Sequence, residues 1–162
     1  EVVTMEKMLV RGVTKDTDVA RISIIGVPNV PGIAYKIFGK LAAKNINVDI
    51  ILQSVGRGET KDIAFTISKA HGEEAVEILN GLDLLNGLDI ICDTDVAKVS
   101  VVGAGMETHP GVASTMFEAL FEADINIQMI ATSEIKISVL IAAADADKAV
   151  ESVHNAFIPV IS

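Results

Sequence analysis

A loop that leads from a predicted strand into a predicted helix carries the groups best suited to hold a small anion. The loop covers residues 28–34 and contains the pair Pro31-Gly32. Proline is tolerated in the first turn of a helix, where its missing N–H costs nothing, and glycine allows a ligand to approach the backbone closely. The N–H groups of Gly32, Ile33 and Ala34, at the positive end of the helix dipole, would suit a carboxylate. Taken alone, however, Pro-Gly is more often only a good helix start.

Polar side chains recur on the strand predicted after this helix. Asn47, Asp49 and Gln53 stand at alternate positions, and alternate residues of a strand point to the same face. Asn126 and Gln128 form the corresponding pair later in the chain. On a strand this apolar, such residues usually form the solvated face, so the residues alone do not assign them a ligand.

The sequence does not favour nucleotide binding. Gly103-Ala104-Gly105 follows a predicted strand and Glu134 ends the next one, but the third glycine of a dinucleotide fingerprint is missing. The second strand also runs into a hairpin instead of another crossover helix. No GxxxxGK[ST] loop for nucleotide phosphates is present in the sequence.

Metal binding and nucleophilic catalysis are also not favoured. His71, His109 and His154 are far apart and lack cysteine partners at ligand spacing. Ser54 and Ser133 have no histidine at a matching position in both parts of the chain. We therefore expect no catalytic residue, no metal and no cofactor.

The chain contains an internal repeat with a spacing of 79 residues, the distance from Pro31 to Pro110. Pro31 opens the segment PGIAYKIFGKLAAKNINVDIILQS, and Pro110 opens PGVASTMFEALFEADINIQMIATS. Without a gap, the shift aligns Ala34 with Ala113, Phe38 with Phe117, Leu41 with Leu120, Ile46 with Ile125, Asn47 with Asn126, Ile51 with Ile130 and Ser54 with Ser133. The chain is therefore expected to be two copies of one small unit.

Hydrophobic periodicity predicts the order βαββαβ in the first copy. We expect strands at 20–27, 47–53, 62–67 and 88–93, and helices at 31–44 and 72–80. The second copy repeats the order with strands at 97–103, 126–132 and 135–143 and helices at 110–123 and 145–156. Its final strand is missing.

An unassigned alternating segment at 7–13 offers a replacement for that missing strand. We expect it to complete the second sheet, so that the first unit is inserted into the second. The domains would then be residues 15–94, and residues 1–14 with 95–162. The alternative is an unattached N-terminal strand together with a truncated last strand at 158–162.

Composition limits the partners of the chain. The net charge of −9 argues against nucleic acid and anionic membranes, because both attract clustered lysine and arginine. No apolar run approaches the roughly 20 residues of a membrane span, and the first residues lack the features of a signal peptide. The single cysteine, Cys92, fits a reducing cytoplasm. Because the chain begins at Glu1 and stops after an apolar stretch, we expect a piece of a longer polypeptide.

The repeated segments resemble the paired ACT domains of aspartokinase, which are small α+β, ferredoxin-like modules that bind amino acids. In the first copy the likeness lies in residues 25–32 (IGVPNVPG), 45–53 (NINVDIILQ) and 60–66 (TKDIAFT). In the second copy it lies in residues 98–106 (KVSVVGAGM), 109–112 (HPGV) and 132–138 (TSEIKIS). The Lys-Phe-Gly-Gly opening of aspartokinase kinase domains is absent from the sequence, so no kinase activity is expected of it.

The resemblance implies an effector site for lysine, threonine or both. In the family the loop that corresponds to residues 28–34 holds the effector. At the position of Asn29 several members carry an acidic residue, whereas the side chain of Asn29 is neutral. If Asp49 reaches the basic side chain of the effector, lysine is the expected ligand. If Asp49 points to solvent instead, threonine is expected. The implied residues are Asn29, Pro31, Gly32, Ile33, Ala34, Val48, Asp49 and Gln53 in the first copy, and Met106, His109, Gly111, Val112, Asn126, Ile127, Met129, Ser133 and Glu134 in the second.

The resemblance also implies partners and a function. We expect a regulatory module that senses the effector for feedback inhibition and acts on an aspartokinase catalytic domain or subunit. ACT units associate edge to edge, so we expect a homodimer in which a first unit pairs with a second unit of the other chain; pairing of like units is the alternative. The rival function is an assembly module that dimerises the kinase without binding an effector.

Overall fold

A computed structural model of the chain describes residues 10–56, 58–104 and 109–157. These residues form two compact α+β units. Residues 18–94 make the first unit, and the described residues of 1–17 and 95–162 make the second. Each unit has a four-stranded antiparallel sheet and two helices.

The elements follow the order βαββαβ in the first unit, as the periodicity predicted. The described chain opens with strand β1 (Val10–Asp16). The first unit then contains β2 (Ala20–Pro28), α1 (Ile33–Ala43), β3 (Ile51–Gln53), β4 (Thr60–Ile67), α2 (Gly72–Asn80) and β5 (Ile90–Asp93). The second unit continues with β6 (Val96–Gly103), α3 (Pro110–Glu122), β7 (Met129–Thr132), β8 (Lys136–Ala142) and α4 (Ala146–Phe157).

The N-terminal strand β1 completes the sheet of the second unit. The strand order is β3-β4-β2-β5 in the first sheet and β1-β6-β8-β7 in the second. Strand β1 pairs antiparallel with β6 from Val10 to Asp16, in the place that β5 occupies beside β2. The first unit is thus inserted into the second, as predicted. Residues 7–9 of the predicted strand, and the alternative last strand at 158–162, lie outside the described residues.

Each sheet buries one face beneath its two helices. In the first unit Ile22 and Ile24 of β2 and Ile63 and Phe65 of β4 pack against the apolar stripe of α1. The ring of Phe38 meets that of Phe65 edge to face, with the centroids 5.2 Å apart. In the second unit the corresponding core is made by Val99, Val101, Val112, Met116, Leu120, Ile137, Val139 and Phe157. Aliphatic side chains thus fill most of both cores, because the chain has few aromatic residues.

Helices α1 and α3 end in the same way at equivalent positions of the repeat. Asn45 and Asp124 both have φ of 59°, the left-handed region that Asn and Asp tolerate best after glycine. The next residue in each copy, Ile46 or Ile125, donates its N–H to a carbonyl five residues earlier, Leu41 or Leu120, at 3.0 Å. These bonds form a Schellman motif, which satisfies the last carbonyls of the helix and directs the chain toward the edge strand.

The regular part of the two edge strands is shorter than the alternation predicted. Strand β3 covers 51–53 and β7 covers 129–132, against predictions of 47–53 and 126–132. In the first unit Asp49 and Ile50 both face Thr66: Asp49 N–H donates to the Thr66 carbonyl, and Ile50 N–H donates to Thr66 Oγ1. Two residues opposite one make a bulge, which interrupts the ladder.

Candidate functional site

The loop before α1 places a glycine in a conformation that few other residues adopt. Gly32 precedes the first helical residue and has φ of 87° and ψ of −6°. Its carbonyl accepts the first helical hydrogen bond, from Lys36 N–H at 3.1 Å. The N–H of Ile33 reaches the Val30 carbonyl only at 3.4 Å, and no described residue accepts the N–H of Gly32 or Ala34. The start of α1 therefore presents the open N–H groups of Gly32 and Ala34, whereas the N–H of Ile33, which the sequence also predicted to be open, bonds to Val30.

Asn29 is fixed at the entrance of this loop by the hairpin between β3 and β4. Its backbone N–H donates to the Glu59 carbonyl at 2.7 Å. Its side-chain amide lies against Gly56, where a Cβ atom would come within 2.9 Å of Asn29 Cγ. Gly56 thus leaves space for Asn29, and the hairpin and the loop form one surface.

A bulge and a carboxylate shape the strand that leads into the loop. Strand β2 has one more residue than β4 between the pairs Ile24–Ile63 and Val27–Lys61. Gly26, inside this bulge, has φ of 78° and donates its N–H to Asp62 Oδ1 at 3.0 Å. Bulges re-aim a strand next to functional sites. Asp62 therefore holds the direction in which the chain enters the loop.

A groove opens beside α1 at the edge of the first sheet. Its volume is about 380 Å³, and its lining comes from α1 and from the chain that leads into β3: Phe38, Ala42, Asn45, Ile46, Asn47, Val48 and Ile51. Val48 was among the predicted site residues. The other lining residues were not, although Phe38 and Ile51 are identical in the second copy and could have signalled a shared role.

The bulge near Thr66 separates two of the predicted polar residues. Gln53 pairs with Ile63, whereas Asp49 donates its N–H to the Thr66 carbonyl. The four steps along the chain from Asp49 to Gln53 span roughly 13 Å at the rise of a strand. Both side chains are exposed, but Gln53 lies nearer the hairpin that contacts Asn29 and Asp49 lies toward the groove at the C-terminal end of α1.

The corresponding loop of the second unit differs from the first. Helix α3 begins at Pro110, so Gly111 lies inside the helix, while its repeat partner Gly32 lies before α1. Val112 is buried in the core, and His109 and Gly111 are half-buried. Met106, the remaining residue predicted for this loop, lies outside the described residues.

The predicted residues before β7 divide between surface and core. Asn126 is exposed, Ile127 packs against the second core, and Met129 is buried and pairs with Leu140. Gln128 N–H donates to the Leu140 carbonyl at 2.8 Å, just as its repeat partner Asp49 donates to Thr66. Both copies therefore leave the residues at positions 47 and 126 on an irregular approach to the edge strand.

The repeated serines close hairpins. Ser54 Oγ accepts the N–H of Asp62 at 2.9 Å. Ser133 Oγ accepts the N–H groups of Ile135 and Lys136 at 3.4 and 3.3 Å, within the turn that also contains Glu134. Both Ser133 and Glu134 are exposed. These bonds explain the identity of Ser54 and Ser133 without a ligand.

The remaining chemistry of the described residues is sparse. In the ranges 10–56, 58–104 and 109–157, no cluster of His, Cys, Asp and Glu could hold a metal ion. Partial burial of the Cys92 thiol raises its pKa, and the carboxylates of Asp93 and Glu73 raise it further. Among the helices in these ranges, none has the length and hydrophobicity needed to cross a membrane.

Comparison with known proteins places the chain in a family. The family model described as ACT domain matches it twice, at residues 22–81 and 99–157. The aspartate kinase Ask_LysC of Stutzerimonas stutzeri is 45% identical over 155 residues, which span 95% of this chain and 38% of that protein. The chain thus spans about two fifths of the length of the curated relatives it matches.

Solved structures with the same fold include regulatory subunits. The ligand-free regulatory subunit of aspartate kinase from Thermus thermophilus has a TM-score of 0.88 and 44% identity, over 92% of this chain and 99% of that chain. A structure of aspartokinase alpha and beta subunits gives a TM-score of 0.83 and 44% identity, over 92% of this chain and 99% of the other. The chain therefore belongs to the ACT domain family, and its 162 residues are a tandem ACT regulatory region of the aspartokinase type that does not include the kinase domain.

Proposed function

We propose that the chain senses a free amino acid and passes the signal to an aspartokinase catalytic domain or subunit, for feedback inhibition. The observation that carries this proposal is the pair of open N–H groups, of Gly32 and Ala34, at the start of α1, where Gly32 itself has a left-handed backbone. Such donors suit an α-carboxylate. The matching beta subunit was solved together with an alpha subunit, which supports the catalytic partner.

The effector is lysine or threonine, and the first unit favours threonine. Asp49, the side chain that would pair with the ammonium of a lysine, is exposed and roughly 13 Å along the strand from Gln53. The hydroxyl of threonine needs no carboxylate. Gln53 and the polar surface at Asn29 would supply hydrogen bonds to such a ligand. The second unit, whose loop begins its helix differently, need not bind the same amino acid.

The site is completed by a second chain in a homodimer. Strands β3 and β7 are edge strands, and they expose apolar side chains such as Ile51, Leu52 and Ile130. Exposed apolar edges are stabilised by pairing with another edge. In the proposed dimer, the loop at Gly32 meets the approach to β7 at Asn126–Met129 of the other chain, where Asn126 and backbone carbonyls would accept hydrogen bonds from the ammonium.

The proposed location is the cytoplasm. The one cysteine of the sequence, Cys92, is a free thiol, which fits a reducing compartment.

The mechanism requires a difference in affinity between two states of the enzyme. An effector shifts the equilibrium toward the inactive arrangement only by the ratio of its affinities for the two arrangements. Closing a site between two chains supplies such a difference, because the ligand then contacts both chains in only one arrangement. The kinase activity itself belongs to the catalytic part.

Titration calorimetry of this chain with L-threonine and L-lysine, separately and together, tests the proposal. Binding must also raise the melting temperature, since a ligand of the folded state adds RT ln(1 + [L]/Kd) to stability. L-threonine amide is the matched control: it lacks the carboxylate, so it should bind at least tenfold more weakly. An assembly module would dimerise and give no heat with either amino acid.

A further inference from the structure

Asp62 lies opposite the bulge of β2 and bonds to it through its side chain. The bulge places Ile25 and Gly26 opposite the single residue Asp62, and Asp62 Oδ1 accepts the Gly26 N–H at 3.0 Å. Gly26 has φ of 78°, and glycine is the residue with the widest choice of backbone conformations. A bulge at a glycine is therefore free to change its direction unless a bond holds it. The carboxylate of Asp62 supplies such a bond.

The backbone of Asp62 is fixed to the end of β3. Asp62 N–H donates to Ser54 Oγ at 2.9 Å, and Ser54 N–H donates to the Asp62 carbonyl at 2.9 Å. Ser54 directly follows Gln53, the residue that would bond to the effector. Asp62 thus joins two parts of the proposed site. Its side chain holds the strand that enters the effector loop (residues 28–34), and its backbone holds the strand end beside Gln53.

The ladder beyond the bulge is short. Only Val27 and Pro28 still pair with β4, and proline has no N–H to donate. One further link follows, where Asn29 N–H donates to the Glu59 carbonyl at 2.7 Å. This short ladder takes its direction from the bulge, and Gly32 follows three residues after Asn29. The setting of the bulge therefore decides where the open N–H groups of the effector loop lie.

The second unit has the same hairpin bonds but a different side chain at this position. Lys136 stands in the place of Asp62: its N–H donates to Ser133 Oγ at 3.3 Å, and its carbonyl accepts the Ser133 N–H at 2.9 Å. A lysine side chain has no acceptor, so it cannot take a backbone N–H. Gly103, at the end of β6, donates its N–H to the Ile135 carbonyl at 2.7 Å instead. The two units thus hold the strand before the loop in different ways.

We propose that Asp62 is a positioning residue of the effector site. Through Gly26, it sets the open N–H groups at the start of α1 where they meet the carboxylate of the effector. In this role Asp62 does not contact the effector; it preorganises the loop, so that less ordering is left to the binding step. The inference rests on the proposed function and deepens it, because it names the residue that tunes the first unit for its ligand. Lys136 leaves the second unit without this control.

Two substitutions at Asp62 separate the acceptor oxygen from the charge. Asp62→Asn keeps Oδ1 without the charge, whereas Asp62→Leu has a similar size and no acceptor; the position is exposed, so both are compatible with the fold. Calorimetry measures the affinity of each variant for L-threonine and for L-threonine amide, which lacks the carboxylate. Asp62→Leu should weaken threonine binding roughly tenfold and amide binding by less than about threefold. Asp62→Asn should bind both like the parent, since an amide oxygen also accepts an N–H.

A matched control and a second measurement distinguish positioning from a loss of stability. Lys136→Leu changes the same place of the second hairpin and should leave both affinities unchanged. Amide hydrogen exchange of the free chain should show faster exchange of the Gly26 N–H in Asp62→Leu than in the parent and in Asp62→Asn. The N–H of Phe65, in the core of the same sheet, should keep its protection. A general loss of stability would instead speed exchange at both positions.

The outcomes separate this proposal from the proposed function. The positioning role is overturned if Asp62→Leu binds threonine like the parent, if it weakens both ligands equally, or if Asp62→Asn is as weak as Asp62→Leu. Unchanged exchange of the Gly26 N–H in Asp62→Leu overturns it as well. If lysine is the effector, lysine and lysine amide replace the threonine pair. A parent chain that binds neither amino acid contradicts the proposed function, and the positioning role falls with it.

Discussion

Gly32 and Gly111 occupy equivalent positions of the two repeats, yet only Gly32 has a left-handed backbone. Gly32, with φ of 87°, stands before α1, whereas Gly111 is the second residue of α3. The helix of the second unit thus starts two residues earlier in the repeat. The same dipeptide, Pro-Gly, therefore presents different backbone donors in the two units.

Alanine substitutions at the two glycines should separate these roles. Gly32→Ala should destabilise the chain by about 1–2 kcal/mol, because an L residue is strained at positive φ. Gly111→Ala should cost less or stabilise, because alanine exceeds glycine in helix propensity by about 1 kcal/mol. Gly32→Asn, which tolerates this φ, should lie between them. Urea unfolding measures all three, and equal effects of the two alanine variants would contradict the assignment.

The helix ends at Asn45 and Asp124 provide a second pair of matched sites. Asn45→Gly and Asp124→Gly should be neutral or stabilising, since glycine is the preferred residue at this left-handed position. Asn45→Val and Asp124→Val should each cost about 1–2 kcal/mol. Lys44→Val, one residue before and at negative φ, is the control for the loss of a polar side chain. Thermal unfolding that fails to distinguish Asn45→Val from Lys44→Val would argue against the strain.

Effector binding should depend on Gln53 more than on its repeat partner. Gln53→Ala should remove one hydrogen bond worth roughly 0.5–1.5 kcal/mol, which weakens binding about three- to tenfold. Thr132→Ala, the equivalent change in the second unit, is the matched control for the first-unit site. Gly32→Val should weaken binding further by blocking backbone approach. Calorimetry that gives parental affinity for both Gln53→Ala and Gly32→Val in folded dimers would place the site elsewhere.

Cys92 should react slowly with alkylating reagents near neutral pH. Partial burial raises the pKa of its thiol, and Asp93 and Glu73 raise it further, so the thiolate fraction is smaller than that of an ordinary cysteine. Glu73→Gln should speed alkylation by iodoacetamide at pH 8. The linkage has a definite sign: above about pH 8.5 the unfolded thiol ionises first, so stability falls as pH rises toward the folded pKa. Cys92→Ala should remove that part of the pH dependence.

Much of the fold could be read from the repeat. The shift of 79 residues aligns Ile46 with Ile125 and Leu41 with Leu120. The hydrogen bonds from Ile46 to Leu41 and from Ile125 to Leu120 close the two Schellman motifs. The missing last strand of the second copy predicted the role of the N-terminal strand, because an antiparallel sheet with an absent edge strand exposes its apolar side. Such features follow from local periodicity and from counting elements, and both are properties of the sequence.

The site was less predictable. Alternation put Asp49 and Gln53 on one face, but Thr66 Oγ1 takes the N–H of Ile50 and interrupts the ladder between them. The sequence did not predict the groove at the edge of the first sheet. This groove is lined by Phe38 and Ala42 of α1 and by Val48 and Ile51, and only the packing of the helix on the sheet brings these residues together.

The sequence by itself determined the two-unit α+β architecture, the inserted order of the units and the loops at Pro31 and Pro110, because periodicity, turn residues and a repeat act over short distances along the chain. The tertiary structure decided that Gly32 is left-handed while Gly111 is helical, that Ser54 and Ser133 close hairpins, and that Phe121 remains exposed. These outcomes depend on the hydrogen bonds and packing that the folded chain makes available at each position, and the hydrophobic pattern does not encode them.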